Sequence, residues 1–499
     1  MLKHGASVDH KEGSALCAAV AKQNVPLILR LLEESPGPKT VVNAFDSART
    51  IDCSNEMRFD IFDHLTGTGC EGLDLSQALI EAVRRDVEDV RICRLLLVRG
   101  ASLDHRRGEA MQGAAAAAAM PLLGLFFERG PSITTRDAAF HAAIYAELSA
   151  SQIRQVFAVM IEAGIFAWSV SSALLVESSK PAPELETTEM LVKGGASLDF
   201  EEGSALSEYC LRHDVESLEI VLQAKVTKQN TLSRGLIAIM SRSENVDRPL
   251  RQDCALRLLQ TTPGVEIPTI SALLTQVVLE QDHELLRLFM SYNPDPGYNN
   301  AESIIAAASL GDLTCVKLLC ANGLDSPAAN LAFVAMLDKQ AIQSTPDGYE
   351  VCKLLLESEI MQEHLDRCLV DAFDHPINDL TKALVVTLTL YKANFSSANG
   401  KAFVTSAKVG ETDLFDDMVK QKPELNIVIT ALIEAFAQEH NVDAIEQGAE
   451  TDEDVEHRIE EELEDAVLDS QYNEPEVVRS TSSYLNHGTQ EADKLAGEA

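Results

Sequence analysis

Bulky apolar pairs recur along this chain roughly every 32 residues, each closing on a glycine or a polar turn. Leu31-Leu32, Leu65, Leu95 to Val98, Phe126-Phe127, Met160-Ile161, the run before Gly195, Val221-Leu222, Leu258-Leu259 and Phe289-Met290 are successive copies. Leu318-Leu319, Leu355-Leu356, Leu390-Tyr391 and Met418-Val419 continue the series, so that Leu31 to Met418 covers 387 residues in twelve steps. Each copy opens with a stretch of small residues at helical spacing, such as Ala15 to Val20 or Ser303 to Ser309. A short polar break follows: Arg85-Asp86, His213-Asp214, Gly311-Asp312 or Gly410-Glu411. A second helix then carries the bulky stripe, as in Leu313, Val316, Leu318 and Leu319. A helix pair of this size cannot bury its apolar face alone, and the period predicts an all-α solenoid in which each pair packs on its neighbours.

The clearest copy is Leu95 to Asp104, reading Leu-Leu-Leu-Val-Arg-Gly-Ala-Ser-Leu-Asp. Its turn recurs at Gly5-Ala6-Ser7-Val8-Asp9 and Gly195-Ala196-Ser197-Leu198-Asp199, and the leading glycines stand 95 residues apart each time. Gly100 suits the left-handed residue just past a helix C-terminus. Asp104 is expected to hydrogen-bond the backbone of the turn that follows it. Three polar residues then lead to a second glycine (Gly13, Gly108, Gly203) and the next small helix. Over residues 1 to 440 this grammar resembles the ankyrin repeat, most of all the diverged arrays of large filamentous-fungal proteins. The resemblance implies about thirteen units and a protein-binding role. The family's Thr-Pro-Leu-His opening stands here as Ser14-Ala15-Leu16-Cys17 and Ser204-Ala205-Leu206-Ser207, and residues 226 to 250 and 321 to 350 fit by period alone.

The pattern changes beyond Gln438. Residues 441 to 499 carry 18 Asp and Glu against three Lys and Arg, a net of -15 that leaves -22 of the chain's -37 to the array. Residues 451 to 469 place Val455, Ile459, Leu463 and Val467 at i+4 spacing in this acid, which predicts an amphipathic helix. Pro475, Ser480 to Ser483 and Gly488 predict disorder for the remainder. The helix has two conceivable seats, a partner or the last repeats near Leu432 and Phe436. Like charge disfavours the second, so deletion of 441 to 499 is expected to leave the melting of the array unchanged. At the other end Met1-Leu2 reads as the end of a second helix, which suggests part of a longer protein or a first repeat covered by something else.

Composition narrows the function. A net charge of -37 argues against nucleic acid and against anionic membrane surfaces as partners. The ten cysteines include no Cys-x-x-Cys pair and most fall on apolar helix positions, as expected of reduced thiols in a cytoplasmic or nuclear protein. No run of 18 uninterrupted apolar residues occurs; Ala110 to Phe127 comes nearest and is broken by Gln112 and Pro121.

Chemistry-bearing motifs are few. Gly67-Thr68-Gly69-Cys70-Glu71-Gly72 spells a dinucleotide-binding phrase, with Glu88 and Asp89 beyond it. That site needs a preceding strand, whereas Arg58 to Leu65 scans as a helix. His364, Asp366, Cys368, Asp371 and His375 form the densest group of possible ligands or catalysts, and Cys368 also reads as core. Seven arginines between Arg84 and Arg107 form either an acid-binding patch or a solvated face paired with Asp86, Glu88 and Asp89. No metal site, no cofactor and no enzyme signature is predicted.

The fingertips between the turn Asp and the next glycine carry more information. Equivalent turns hold His10-Lys11-Glu12, His105-Arg106-Arg107 and Phe200-Glu201-Glu202 inside a nearly constant frame. Side chains that vary while the scaffold holds are free to serve a partner. The expected protein is a non-catalytic, monomeric interaction module or scaffold that holds a protein partner across these fingertips and the concave face. Two alternatives are the recognition part of a larger signalling protein, and an enzyme with its site near 360 to 376.

Overall fold

The computed structural model describes residues 7–70, 72–241, 247–321, 323–338, 345–373, 378–396, 400–409, 415, 418–419 and 426–430. They are helical throughout, and the only β-pairing among them is an isolated bridge between Ser197 and Lys225. Gly5 and Ala6, Glu71, His375, Gly410-Glu411, Leu432, Phe436 and everything in the acidic tail lie outside the described residues.

Internal contacts divide the chain into Met1–Glu266 and Ile267–Ala499. The first unit holds α1 (Ser14–Ala21), α2 (Val25–Leu32), α3 (Pro38–Thr50), α4 (Asn55–Thr66), α5 (Gly72–Arg85), α6 (Val90–Val98), α7 (Glu109–Ala116) and α8 (Met120–Phe127). It continues through α9 (Ile133–Ile144), α10 (Ala150–Glu162), α11 (Ala167–Ser178), α12 (Leu185–Lys193), α13 (Ser204–Arg212), α14 (Val215–Val221), α15 (Gln229–Ser241) and α16 (Arg248–Gln260). The second holds α17 (Ile267–Leu279), α18 (His283–Met290), α19 (Tyr298–Leu310), α20 (Leu313–Cys320), α21 (Ser326–Leu337), α22 (Pro346–Leu356), α23 (Gln362–Ala372), α24 (Asp379–Leu390) and α25 (Lys401–Val409).

Within each unit the odd-numbered helices pack on the next odd-numbered helix, as α1 on α3 and α17 on α19. Most even-numbered helices do the same, as α2 on α4 and α18 on α20. Small residues make the odd row possible: Ala114, Ala115, Ala139 and Ala143 are fully buried where α7 meets α9, so the backbones approach closely. The even helices supply the bulk, with Leu96, Leu122, Phe126, Leu191, Leu285 and Phe289 at zero exposure. Burying each such side chain favours the stack by about 1.5 to 3 kcal/mol. Stretches that matched the repeat only by period, 226 to 250 and 321 to 350, also form pairs, α15 with α16 and α21 with α22.

The turns inside the pairs explain the polar breaks. Gln23, His213, Gln281 and Gly311 take left-handed φ of 53°, 54°, 52° and 67°. The next residue is Asn24, Asp214, Asp282 or Asp312, whose side chain accepts the amide of the third residue of the second helix at 3.1, 3.3, 3.1 and 3.0 Å. All ten cysteines are free thiols, and seven of them, Cys70, Cys93, Cys210, Cys254, Cys315, Cys352 and Cys368, are buried, while Cys17, Cys53 and Cys320 are half-buried.

Between pairs the structure corrects one expectation. Asp104 does not bond the backbone of the turn next to it. Ser102 Oγ accepts the Asp104 amide at 3.2 Å, and the carboxylate reaches across the repeat boundary. There it accepts the Ser132 amide at 3.1 Å and the Ser132 and Thr135 hydroxyls at 2.6 Å each. Asp9 accepts from Gly37 N at 2.8 Å and Thr40 Oγ1 at 2.6 Å. Asp199 accepts from Thr227 N at 2.8 Å and Thr231 Oγ1 at 2.7 Å. A second tie runs backwards: Ser76, Ser171 and Ser271, buried in the odd helices, accept the amides of Ser102, Ser197 and Asp295 at 2.8, 2.8 and 2.9 Å.

Candidate interaction surface

The fingertips adopt one backbone three times over. Lys11 and Glu12, Arg106 and Arg107, and Glu201 and Glu202 all lie in the left-handed region, with φ between 45° and 58°. Gly13, Gly108 and Gly203 continue it at 83°, 78° and 87°. These glycines are required twice over. A Cβ on Gly108 would also sit 2.5 Å from Cγ2 of Thr135, the residue whose hydroxyl holds Asp104. Asp, Gly and Thr thus form a clamp that fixes the turn, and the varying residues stand on it.

A fourth such turn went unread in the sequence. Asn299, Asn300 and Ala301 take φ of 53°, 57° and 61°, with Ala301 buried where the other turns have glycine. The signal was a pair of asparagines, which tolerate the left-handed region.

The clamp carboxylates are electrostatically set. For Asp104 and Asp199, partial burial raises the pKa, but the hydrogen bonds from Ser132 and Thr135, or from Thr227 and Thr231, outweigh it and hold both below 3.8. Asp9 is lowered chiefly by the Thr40 hydroxyl and then by the Gly37 amide.

Of the fingertip side chains, Glu12 and Glu202 are engaged with the following repeat. Lys39 lies 2.5 Å from Glu12, and Arg234 lies 2.5 Å from Glu202. His10, Lys11, Arg106, Arg107 and Glu201 are exposed, while His105 and Phe200 are half-buried. Arg106 reaches Glu109 at 3.8 Å.

The arginines near 84 to 107 are mostly paired, with partners beyond those the sequence suggested. Arg84 joins Glu109, Arg91 joins Asp89 at 3.2 Å, Arg99 joins Asp63 at 3.0 Å, and Arg85 donates to the Arg49 carbonyl at 3.1 Å. Arg94 is exposed without a carboxylate partner among the described residues.

The other motifs disperse. Gly67 follows directly on α4, so a helix stands where a dinucleotide site needs a strand. In α23, Asp366 accepts the Asn394 amide at 2.7 Å, Cys368 is fully buried, and Asp371 faces Arg367 at 3.5 Å. His364 lies 3.8 Å from Glu363, and His375 is outside the described residues. The described side chains able to converge on one ion are His283, Asp312 and Cys315. Here His283 Nε2 meets Asp312 Oδ2 at 2.8 Å while Oδ1 caps α20 through Cys315 N, and burial pushes the Cys315 thiol up to about 12. The group is a helix cap tied to the preceding pair, with a protonated thiol beneath it. A small cavity among Arg49, Asn55, Arg58, Glu81 and Asp86 measures about 10 Å³, water-sized and too small for an organic ligand.

One exposed feature escaped the sequence reading. Trp168, half exposed at the start of α11, stacks on His141 of α9 at 4.9 Å, and Tyr145, one residue past the end of α9, is 70% exposed. Exposed aromatics of this kind are typical anchors of protein interfaces. No described helix is long and apolar enough to cross a membrane. Comparison with protein-family models finds no match, and comparison with curated proteins finds no relative.

Proposed function

We propose that the chain is a non-catalytic protein-interaction module of diverged ankyrin type, reading its partner with the fingertips and the adjoining odd-helix face. The observation that carries this reading is the clamp. Turns at 10–13, 105–108 and 200–203 share one backbone, yet present His-Lys-Glu, His-Arg-Arg and Phe-Glu-Glu. A rigid turn with changeable side chains suits recognition, because little conformational entropy is lost when a partner binds. Trp168 on α11, stacked on His141 of α9, adds an exposed aromatic anchor to the same unit. A cytoplasmic or nuclear monomer with a protein partner, and with neither nucleic acid nor membrane, fits the acidic surface.

The test is affinity capture with mass spectrometry, comparing the natural chain with a His105→Ala, Arg106→Ala, Arg107→Ala variant. A partner retained by the first and lost by the second supports the reading. Since Trp168 is the single tryptophan, its emission should also shift when that partner is added. A partner captured equally by both, with no emission shift, would refute it.

A further inference from the structure

Helices α4 and α6 carry a groove of about 480 Å³ that the fingertips do not reach. Phe59, Val90, Leu95 and Val98 form its apolar part, and Arg91 and Arg94 bring two cations to it. Val98 is 62% exposed, and the Arg91 guanidinium rests 6.0 Å over the Phe59 ring. Its meaning comes from the chain itself. One long repeat later, α10 and α12 rebuild the same two helices 95 residues on. There Phe59 becomes Arg154, Arg91 becomes Glu186, Arg94 becomes Glu189 and Val98 becomes Lys193. Those residues close on one another: Arg154 pairs with Glu184 at 2.6 Å and Glu186 at 3.2 Å, and Lys193 with Glu189 at 2.5 Å. One copy is a self-satisfied solvated face. The other exposes apolar surface beside Arg94, which has no carboxylate partner among the described residues, on a molecule of net charge -37.

We infer that the α4–α6 groove is a docking site for an acidic amphipathic helix of a protein partner. The inference rests on the interaction-module reading and adds a second surface with a defined partner chemistry. Apolar side chains at i and i+4 would cover Val98, Leu95 and Phe59, while a carboxylate on the same helix meets Arg94. Asp89 at the N-cap of α6 pairs with Arg91 at 3.2 Å, and Glu56 and Asp60 act on it from α4, so the acidic flank of the occupant is placed at Arg94, away from Arg91. Basic or neutral helices do not fit this arrangement, because they leave Arg94 unpaired against apolar surface.

The chain's own residues 451 to 469 have the required chemistry and supply the probe: ten Asp and Glu, one Arg, and Val455, Ile459, Leu463 and Val467 in a row. A fluorescein-labelled peptide of that sequence is titrated by anisotropy into the full chain with those four residues changed to Ser, so that its own tail cannot compete. Saturable binding is expected, weakened tenfold or more by the pair Arg94→Glu and Val98→Lys. That pair reproduces Glu189 and Lys193 of α12, a surface the same chain already folds with, and an unchanged melting curve verifies it. Changing His105, Arg106 and Arg107 to Ala should leave the peptide affinity as it was, which separates this site from the fingertips. Absence of binding, or binding that Arg94→Glu and Val98→Lys leave intact, overturns the proposal without touching the fingertip reading. A peptide with its four apolar residues changed to Ser should fail to bind; if it binds equally well, attraction is by charge alone and the groove is not a docking site.

Discussion

Thr135 touches both halves of the turn that precedes it by about one repeat: its hydroxyl donates to Asp104 Oδ1 at 2.6 Å, and its methyl occupies the space a side chain on Gly108 would need. Thr135→Val keeps the methyl and removes the donor. A hydrogen bond to a charged group stabilises by about 1.5 to 3 kcal/mol, and Asp104 retains Ser132, so a loss of about 1 to 2 kcal/mol is expected. Gly108→Ala meets both the clash and the left-handed backbone and should cost more. Native-state hydrogen exchange would locate the damage at α7 and α9; unchanged protection there contradicts the clamp.

Acid should open the same joints. The folded pKa values of Asp9, Asp104 and Asp199 lie below the ordinary 3.8. A depressed carboxylate contributes stability that is fully present above the unfolded value and is lost as the pH falls through the folded one. Protection at the three turns should therefore hold at about pH 5 and fall progressively below about pH 4. Asp104→Asn keeps an acceptor and discards the charge, so it should flatten this acid dependence at the second turn alone. A turn that loosens equally with and without the charge would sink the argument.

These joints show where the sequence could and could not be read. The helix pairs, their period and the constant turn were legible because hydrophobic spacing and a glycine after a helix are local signals. Asp104 was misassigned because its partner stands 28 to 31 residues ahead, where a local turn rule does not look. Periodicity did hold the clue, for Thr40, Thr135 and Thr231 follow Asp9, Asp104 and Asp199 by 31, 31 and 32 residues. The turn at Asn299 to Ala301 was hidden because alanine replaced the marker glycine. The α4–α6 groove was read as a set of arginines, since pairing is decided by the three-dimensional neighbours that satisfy Arg84 and Arg99 and leave Arg94 alone.

Gly100 offers a control without a clash. Its φ is 106°, and nothing lies within 4 Å of where a Cβ would stand. Gly100→Val therefore measures backbone strain alone, expected at about 1 to 3 kcal/mol. Each pair packs only on its neighbours, so lost exchange protection should be confined to α5 through α8. Loss spread evenly over the chain, or an unchanged melting curve, would count against this account of the turn.

Two alanines mark places where the fold carries strain that a substitution can relieve. Ala301 sits at φ 61° and ψ 28°, a left-handed conformation that costs a residue with a Cβ about 1 kcal/mol relative to glycine. Ala301→Gly removes that cost and leaves the buried turn otherwise unchanged, so it should stabilise the chain despite enlarging the entropy of the unfolded state. Ala118 is its counterpart inside a helix pair, at φ 51°, and Ala119 after it is the N-cap of α8 without a side-chain acceptor. At the same place Asn24 and Asp214 accept a helix amide. Ala119→Asp should therefore add a cap worth about 1 kcal/mol. Burial works against the charge, since Ala119 is only 9% exposed, but Asp282 is 3% exposed in the equivalent position and is tolerated there. Combined with Ala118→Gly, the gain should approach the sum of the two, read as slower exchange in α7 and α8. If Ala119→Asp destabilises while Ala301→Gly stabilises, the backbone argument survives and the capping argument does not.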